Sequence, residues 1–217
     1  MLNTNKKTNG FTIDDIQICD FTTLDCVSNT DILNLSRGEQ SKKLISFISK
    51  KMGIKSRYWV KAESNSFILA KQVLKKLIDK NPKILEEAEF IIFGGICNPM
   101  PTVCMAALLA CEFEFKNASC WDLKSGCSTG VLALQQAISS FNQGAKKGII
   151  ICAETFSKFT DNQNLQMAAS IGDGASGIII SADENSEIIG SVHGTDASYF
   201  KTMYVPGKYP VDINSYD

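Results

Sequence analysis

One cysteine stands where a thiol can act as a nucleophile. Cys127 follows Ser125-Gly126, between an apolar stretch at residues 119–123 and a stretch with helical spacing at residues 128–141. Glycine permits a sharp turn, and the first turn of a helix offers unpaired N–H groups and positive potential, which favour a thiolate. The same N–H groups can stabilise the oxyanion that forms when a thiolate attacks a thioester. The pattern therefore predicts a nucleophilic thiol at Cys127, in surroundings suited to attack on a thioester.

The spacing of the other cysteines argues against metal and dithiol chemistry. The chain has eight cysteines, and no two of them are separated by only two residues, as they are in a zinc ribbon or a thioredoxin-type pair. On a helix, Cys104 and Cys111 would share one face but lie about 10.5 Å apart along the axis, too far to bind one metal ion. Free cysteine is among the most buried residue types. We therefore expect most of these thiols to be buried, with no metal and no redox cofactor.

Composition argues against two classes of partner. The 217 residues are 44% hydrophobic and carry a formal net charge of −1, so there is no excess of positive charge to neutralise a phosphate backbone. Residues 1–10 are polar, unlike a secretory signal, and no apolar run is long enough to span a bilayer. These features predict a cytoplasmic protein with one domain, residues 1–217, and with neither a nucleic-acid nor a membrane partner.

Hydrophobic periodicity predicts an α/β sheet. An edge strand within residues 11–27 comes first, followed by a helix at 41–52 and an amphipathic helix at 64–79. Next come strands at 90–93, 119–123 and 149–153, helices at 101–112 and 128–141, and further strands at 178–180 and 188–189. Strand, helix and strand in this order predict a mixed sheet with right-handed βαβ crossovers and functional loops at the carboxyl ends of the strands. The Cys127 turn is one of those loops.

Three segments occur in an order that points to a known family. They are Gly53-Ile54-Lys55-Ser56-Arg57, the turn from Asp122 to Cys127, and Gly172-Asp173-Gly174-Ala175-Ser176-Gly177. In this order they resemble the β-ketoacyl-acyl-carrier-protein synthase III branch of the thiolase superfamily. The resemblance implies the N-terminal half of a thiolase-like, layered α-β-α fold. The chalcone-synthase and hydroxymethylglutaryl-CoA synthase branches share the cysteine turn, and nothing within the chain separates them firmly.

The resemblance also implies an activity, ping-pong acyl transfer. Cys127 would accept an acyl group from a thioester donor and pass it on during fatty-acid or polyketide-type biosynthesis. The family completes this site with a His and an Asn from the second half of its fold. His193, the only histidine, does not match that position and is predicted to be a strand-end or loop residue. The chain stops where a second half is expected, which implies a longer enzyme or a partner chain, and a catalytically weak isolated chain.

Four positions bear on the substrate through the same resemblance. Phe47 stands where enzymes that use coenzyme A carry Trp, and Leu165 where they carry Arg, so a carrier-protein donor is favoured over acyl-CoA. Met100 falls where the family places a bulky apolar residue that reaches the acyl pocket of a neighbouring subunit, and the family is dimeric, so we expect a homodimer or a heterodimer. Arg57 would contact the carrier protein or its phosphopantetheine, with structural packing as an equal alternative.

The glycines near the end of the chain have a structural interpretation. Residues 172–177 spell a dinucleotide-binding fingerprint, but isoleucines follow where that motif needs a helix. We expect Gly126, Gly172 and Gly174 to serve turns and close packing, and Asp173 to accept hydrogen bonds from nearby backbone. Two alternatives from other classes stay open. One is a non-catalytic subunit that pairs with an active synthase, and the other is a redox-sensing thiol with Cys120 as the resolving cysteine.

Overall fold

A computed structural model describes residues 9–35, 39–160 and 164–199 of the chain. The strands in these ranges are β1 (Asn9–Ile18), β2 (Asp25–Ser28), β3 (Ser56–Trp59), β4 (Phe90–Gly94), β5 (Ser119–Leu123), β6 (Lys147–Glu154) and β7 (Gly174–Glu187). The helices are α1 (Asn29–Leu35), α2 (Glu39–Lys51), α3 (Ser66–Lys80), α4 (Ile84–Glu87), α5 (Met105–Glu112), α6 (Thr129–Asn142) and α7 (Leu165–Ser170). Most of the polar start of the chain and the end of the predicted domain, residues 200–217, lie outside the described residues.

Five of these strands form one mixed sheet in the order β1-β7-β6-β4-β5. β4 pairs in parallel with both β5 and β6, and β7 pairs antiparallel with β6 and β1. Because β4 and β5 are parallel neighbours, the segments that follow them leave the same edge of the sheet. β2 and β3 make a separate antiparallel pair. The mixed sheet predicted from the sequence is confirmed.

Helices cover both faces of the sheet, and the side chains of β4 alternate between them. Ile91 and Phe93 pack on the face covered by α3 and α5, where α3 contributes Leu74 and Leu77 to the core. Phe90 and Ile92 face α6, whose Ala133, Ala137 and Phe141 form the second core cluster. Every residue of β4 is buried, as expected for a continuous apolar run at the centre of a sheet.

A third cluster lies outside the main sheet. It is built from α1, α2 and α7, through Ile32, Ile45, Ile48, Ala168 and Ala169. The β2-β3 pair adjoins it, since Val27 and Trp59 pack against the same residues. None of the helices within the described ranges is long and apolar enough to cross a membrane.

Two element predictions were wrong. The helix predicted to begin at Pro101 begins at Met105, because residues 101–103 form turns before it. Ile188 and Ile189 do not form a strand. The isoleucines at 178–180 instead belong to one long strand, β7, which ends at Glu187, opposite the first residue of β1. The other predicted helices and strands are present, with ends shifted by a few residues.

Candidate functional site

Cys127 lies in a tight turn between β5 and α6. The strand ends at Leu123, a 3-10 turn spans Gly126–Ser128, and α6 begins at Thr129. Gly126 has a φ of 58°, a left-handed conformation, and no atom lies within 4 Å of where its Cβ would be. Glycine is therefore needed there for backbone conformation rather than for space. The Cys127 side chain is exposed to solvent, two residues before α6 begins.

The hydroxyl of Thr129 holds this turn together. Its Oγ1 accepts a hydrogen bond from the backbone N–H of Ser125 at 2.9 Å and donates one to the carbonyl of Gly126 at 2.8 Å. Thr129 is 6% exposed, and its methyl carbon Cγ2 lies 2.7 Å from the position that a Cβ on Gly94 would take. The turn is thus fixed from inside and seated closely on β4. The sequence reasoning did not assign Thr129 a role, although a hydroxyl residue two positions after the cysteine was the available signal.

Exposure to solvent separates Cys127 from most of the other cysteines. Burial raises the pKa of the Cys97, Cys104 and Cys152 thiols, and raises that of Cys120 to about 11. Those four thiols are therefore poor nucleophiles at neutral pH. A raised pKa also argues against Cys120 as the resolving cysteine of a redox sensor.

Two other cysteines, Cys26 and Cys111, share the exposure of Cys127. Cys26 lies on β2, and Cys111 lies near the C-terminal end of α5, at the negative end of the helix dipole. Cys127 is the exposed thiol that adjoins a helix N-terminus. The structure thus places it in the predicted surroundings.

The predicted substrate residues fall in two regions. Met100 is 37% exposed and lies in the segment that joins β4 to α5, which leaves the same end of the sheet as the Cys127 turn. Phe47 is 55% exposed on α2, which packs against α7 in the third cluster. Leu165, the first residue of α7, packs on the same cluster. The structure therefore brings together the elements that carry Phe47 and Leu165.

Arg57 corrects one expectation. It is 5% exposed, and its guanidinium donates to the carbonyl of Val27 at 3.0 Å, to Oδ1 of Asn29 at 2.6 Å and to the carbonyl of Ala169 at 2.6 Å. Desolvation lowers the pKa of this group, but the ordinary value is so high that the charge remains. The inward-facing guanidinium favours the packing alternative over contact with a carrier protein.

The segment around Asp173 ties β7 to its neighbours. Oδ2 of Asp173 accepts the backbone N–H of Val60 at 2.8 Å, and Oδ1 accepts that of Ser157 at 2.9 Å. The Asp173 N–H in turn donates to the carbonyl of Tyr58 at 2.8 Å. Gly174 begins β7, so a strand follows the glycines instead of the helix that a dinucleotide site requires. A Cβ on Gly172 would lie 3.3 Å from Cβ of Arg57, which shows close packing there.

His193 lies in an exposed stretch without helix or strand, as predicted. Its Nδ1 is 3.0 Å from Nε2 of Gln135 on α6. Within the described ranges, no group of three His, Cys, Asp or Glu side chains is placed to hold a metal ion.

Sequence comparison identifies related proteins. The family profile described as 3-oxoacyl-[acyl-carrier-protein (ACP)] synthase III matches residues 121–197, which include the Cys127 turn. The β-ketoacyl-[acyl-carrier-protein] synthase III of Streptococcus suis (strain 05ZYH33) is 34% identical over 151 residues, 69% of this chain and 46% of the relative. The chain is a synthase III homologue. The Streptococcus agalactiae serotype III (strain NEM316) protein is 32% identical over 153 residues, 70% of this chain and 47% of that relative.

Solved structures of synthase III proteins share the fold. A 2.1 Å crystal structure of a 3-oxoacyl-(acyl-carrier-protein) synthase III gives a TM-score of 0.76 at 23% identity, over 87% of this chain and 56% of that chain. The Aquifex aeolicus VF5 synthase III gives 0.70 at 24% identity, over 81% and 55%. The predicted thiolase-like α/β fold is confirmed. The chain spans about half the length of the curated relatives it matches, and it corresponds to their N-terminal half.

Proposed function

We propose that this chain is the acyl-accepting part of a 3-oxoacyl synthase III-like condensing enzyme of fatty-acid or polyketide-type biosynthesis. The observation that carries the proposal is the exposed Cys127 thiol, held in a fixed turn directly before α6. A helix N-terminus favours negative charge on the sulfur and on the carbonyl oxygen that it attacks. Residues 1–217 would be one N-terminal domain of a cytoplasmic homodimer or heterodimer.

The proposed reaction on Cys127 is a thioester exchange. The thiolate attacks the carbonyl carbon of an acyl thioester, and the tetrahedral oxyanion collapses to expel the donor thiolate, which takes up a proton. A carbanion later attacks the acyl group and releases Cys127 as thiolate. The family's His and Asn for this second step are proposed to come from outside these 217 residues. We therefore expect the isolated chain to form an acyl adduct without completing condensation.

A carrier protein is the proposed donor. Phe47 is exposed on α2, where Lys42, Lys43, Lys50 and Lys51 are exposed as well. A positively charged helix surface can attract an acidic carrier protein. Met100, exposed in the segment that follows β4, is proposed to contact the acyl chain, since a flexible thioether adapts to chains of different shape.

The test is acylation followed by intact mass. The chain is incubated with acyl-carrier-protein and acyl-CoA thioesters, with Cys127→Ala and Cys111→Ala in parallel. Cys111 is the matched control because it is an exposed thiol at the opposite type of helix end. We expect the adduct to form on wild type and Cys111→Ala, to be absent from Cys127→Ala, and to form faster from the carrier-protein donor.

The opposite outcome has a defined meaning. A folded chain that takes no acyl group from either donor would contradict the proposal and favour the non-catalytic subunit. An adduct that persists in Cys127→Ala would show that another thiol is the acceptor.

A further inference from the structure

A carboxylate from β6 holds the start of the segment that carries Met100. This segment, residues 95–104, joins β4 to α5. Glu154, the last residue of β6, accepts the backbone N–H of Ile96 through Oε1 at 2.5 Å and that of Cys97 through Oε2 at 3.1 Å. Both carboxylate oxygens are therefore occupied by backbone donors of the segment.

A second carboxylate, from β5, holds the end of the same segment. Oδ2 of Asp122 accepts the backbone N–H of Met105 at 2.8 Å, and Oδ1 accepts that of Ala106 at 2.9 Å. The N-cap residue of α5, Cys104, makes no side-chain capping bond of its own. The first N–H groups of a helix lack partners within the helix, so Asp122 satisfies two of them from a neighbouring strand. The Cys104 thiol also donates to Oδ1, at 3.4 Å.

The two carboxylates reach the segment from opposite sides. β5 and β6 flank β4 in parallel, so Asp122 and Glu154 stand on either side of the point where β4 ends. The backbone N–H of Gly95 donates to the carbonyl of Leu123 at 3.3 Å, directly before the Cys127 turn. The Met100 segment is thus bonded at its start to β5, the strand that leads into the Cys127 turn.

We propose that Asp122 and Glu154 are positioning residues that hold the Met100 segment in place and thereby set which acyl-chain lengths the enzyme accepts. The inference rests on the proposed function. Neither carboxylate touches the reacting atoms. All four carboxylate oxygens accept hydrogen bonds from backbone or thiol donors of the Met100 segment and of the first turn of α5. Their effect on the reaction passes through the position of Met100.

The test uses isosteric amides in the full 217-residue chain. Asp122→Asn and Glu154→Gln each place an amide N–H₂ against a backbone N–H, which breaks one bond without changing side-chain size. Asp79→Asn and Glu86→Gln, at exposed positions on α3 and α4, are the matched controls. We measure the rates at which acetyl and octanoyl thioesters acylate Cys127, and the hydrogen exchange of the amides at 96, 97, 105 and 106.

We expect the ratio of octanoyl to acetyl rates to change by about tenfold in each carboxylate variant, since small displacements near a reacting centre cost this much or more. Exchange of the four amides should accelerate, and both controls should match wild type. A general loss of folding would lower both rates alike and leave their ratio unchanged.

The failures of the two proposals differ. If wild type is not acylated at all, the proposed function fails. If wild type is acylated and the chain-length ratio is unchanged in both variants, the positioning role fails, whether or not exchange accelerates.

Discussion

Thr129 contributes two different groups to the surroundings of Cys127. Its hydroxyl bridges the Ser125 N–H and the Gly126 carbonyl, and its methyl packs over Gly94. Thr129→Val keeps the volume and removes the bridge, so the turn loses both bonds and the thiol loses its fixed position. We expect acylation of Cys127 to slow about tenfold or more. Thr129→Ser keeps the hydroxyl and should retain most of the rate.

The measurement is the rate of adduct formation by intact mass on the three proteins. If the Val variant is acylated as fast as wild type while the Ser variant is slow, the methyl rather than the hydroxyl positions the turn.

The sequence predicts the role of a residue where that role depends on its immediate neighbours along the chain. Cys127 could be placed because its strand, glycine and helix are consecutive, and Asp173 because it stands between glycines before a strand. Arg57 shows the limit. One of its partners, the carbonyl of Ala169, lies 112 positions further along the chain, and no spacing rule connects them. The role of Asp122 at the start of α5 could not be predicted for the same reason, since it depends on which strands are neighbours.

At the scale of elements, Arg57 joins four pieces of secondary structure. Its guanidinium links β3, on which it lies, to β2, to the first residue of α1 and to α7. Arg57→Lys keeps the charge but replaces a planar fork by a single ammonium group that cannot reach three separated acceptors. Because carbonyls left unpaired in a buried site are costly, we expect the free energy of unfolding to fall by about 3 kcal/mol.

Urea unfolding of wild type and Arg57→Lys measures this loss, with Lys55→Arg at an exposed neighbouring position as the control. A loss below about 0.5 kcal/mol, the range of ordinary surface changes, would mean that the buried fork is not structurally important.

The contact between β4 and the start of α6 offers a second test at this scale. A Cβ added to Gly94 would lie 2.7 Å from Cγ2 of Thr129 and 3.0 Å from Sγ of Cys152. Overpacking of this kind costs about 1–3 kcal/mol, so Gly94→Ala should lower stability and slow acylation by moving the Cys127 turn. The double variant Gly94→Ala with Thr129→Ser removes the closer clash.

We expect the double variant to recover part of both losses, because substitutions at touching residues are not additive. Chemical unfolding and the acylation rate are compared across the four proteins of the cycle. Strictly additive effects would show that Gly94 and Thr129 do not determine how α6 packs on β4.

Helices and strands were correctly predicted where the hydrophobic periodicity was strong. The errors concern where α5 begins and whether the short Ile188-Ile189 segment forms a strand. The apolar run of β4 and the amphipathic α3 were correctly located, since burial on both faces and burial on one stripe leave different patterns. The start of α5 was wrong by four residues because proline suits a first helical turn, whereas here a turn precedes the helix. Ile188-Ile189 was wrong because β-branched composition does not supply a partner strand.

For the molecule as a whole, the parallel pairs of the sheet explain why functional segments converge. The Met100 segment and the Cys127 turn follow adjacent parallel strands, β4 and β5, so they leave the sheet at one edge. Phe47 and Leu165 lie on α2 and α7, two of the helices that form the third cluster. The sequence pattern could give the order of these elements, but only the strand order β1-β7-β6-β4-β5 shows which segments meet.

Four thiols with raised pKa values should make the whole fold sensitive to alkaline pH. Burial raises the pKa of Cys97, Cys104, Cys120 and Cys152, that of Cys120 to about 11, whereas thiols in the unfolded chain ionise near pH 8.5. Above that pH the folded state holds more protons than the unfolded state, so stability is complete below about pH 8.5 and is lost as pH rises through the raised values. Urea midpoints between pH 7 and pH 11 should therefore fall.

The slope of that fall is the decisive quantity. Cys120→Ala removes one of the four thiols and should flatten the decline above pH 8.5, although the cavity it leaves lowers stability at every pH. Cys111→Ala removes a thiol that is exposed to solvent in the folded state, so folding does not bury it and the slope should stay as in wild type. Lysine titration affects all three proteins equally and cancels in the comparison. Equal slopes for the two variants would show that the thiols with raised pKa values do not govern alkaline unfolding.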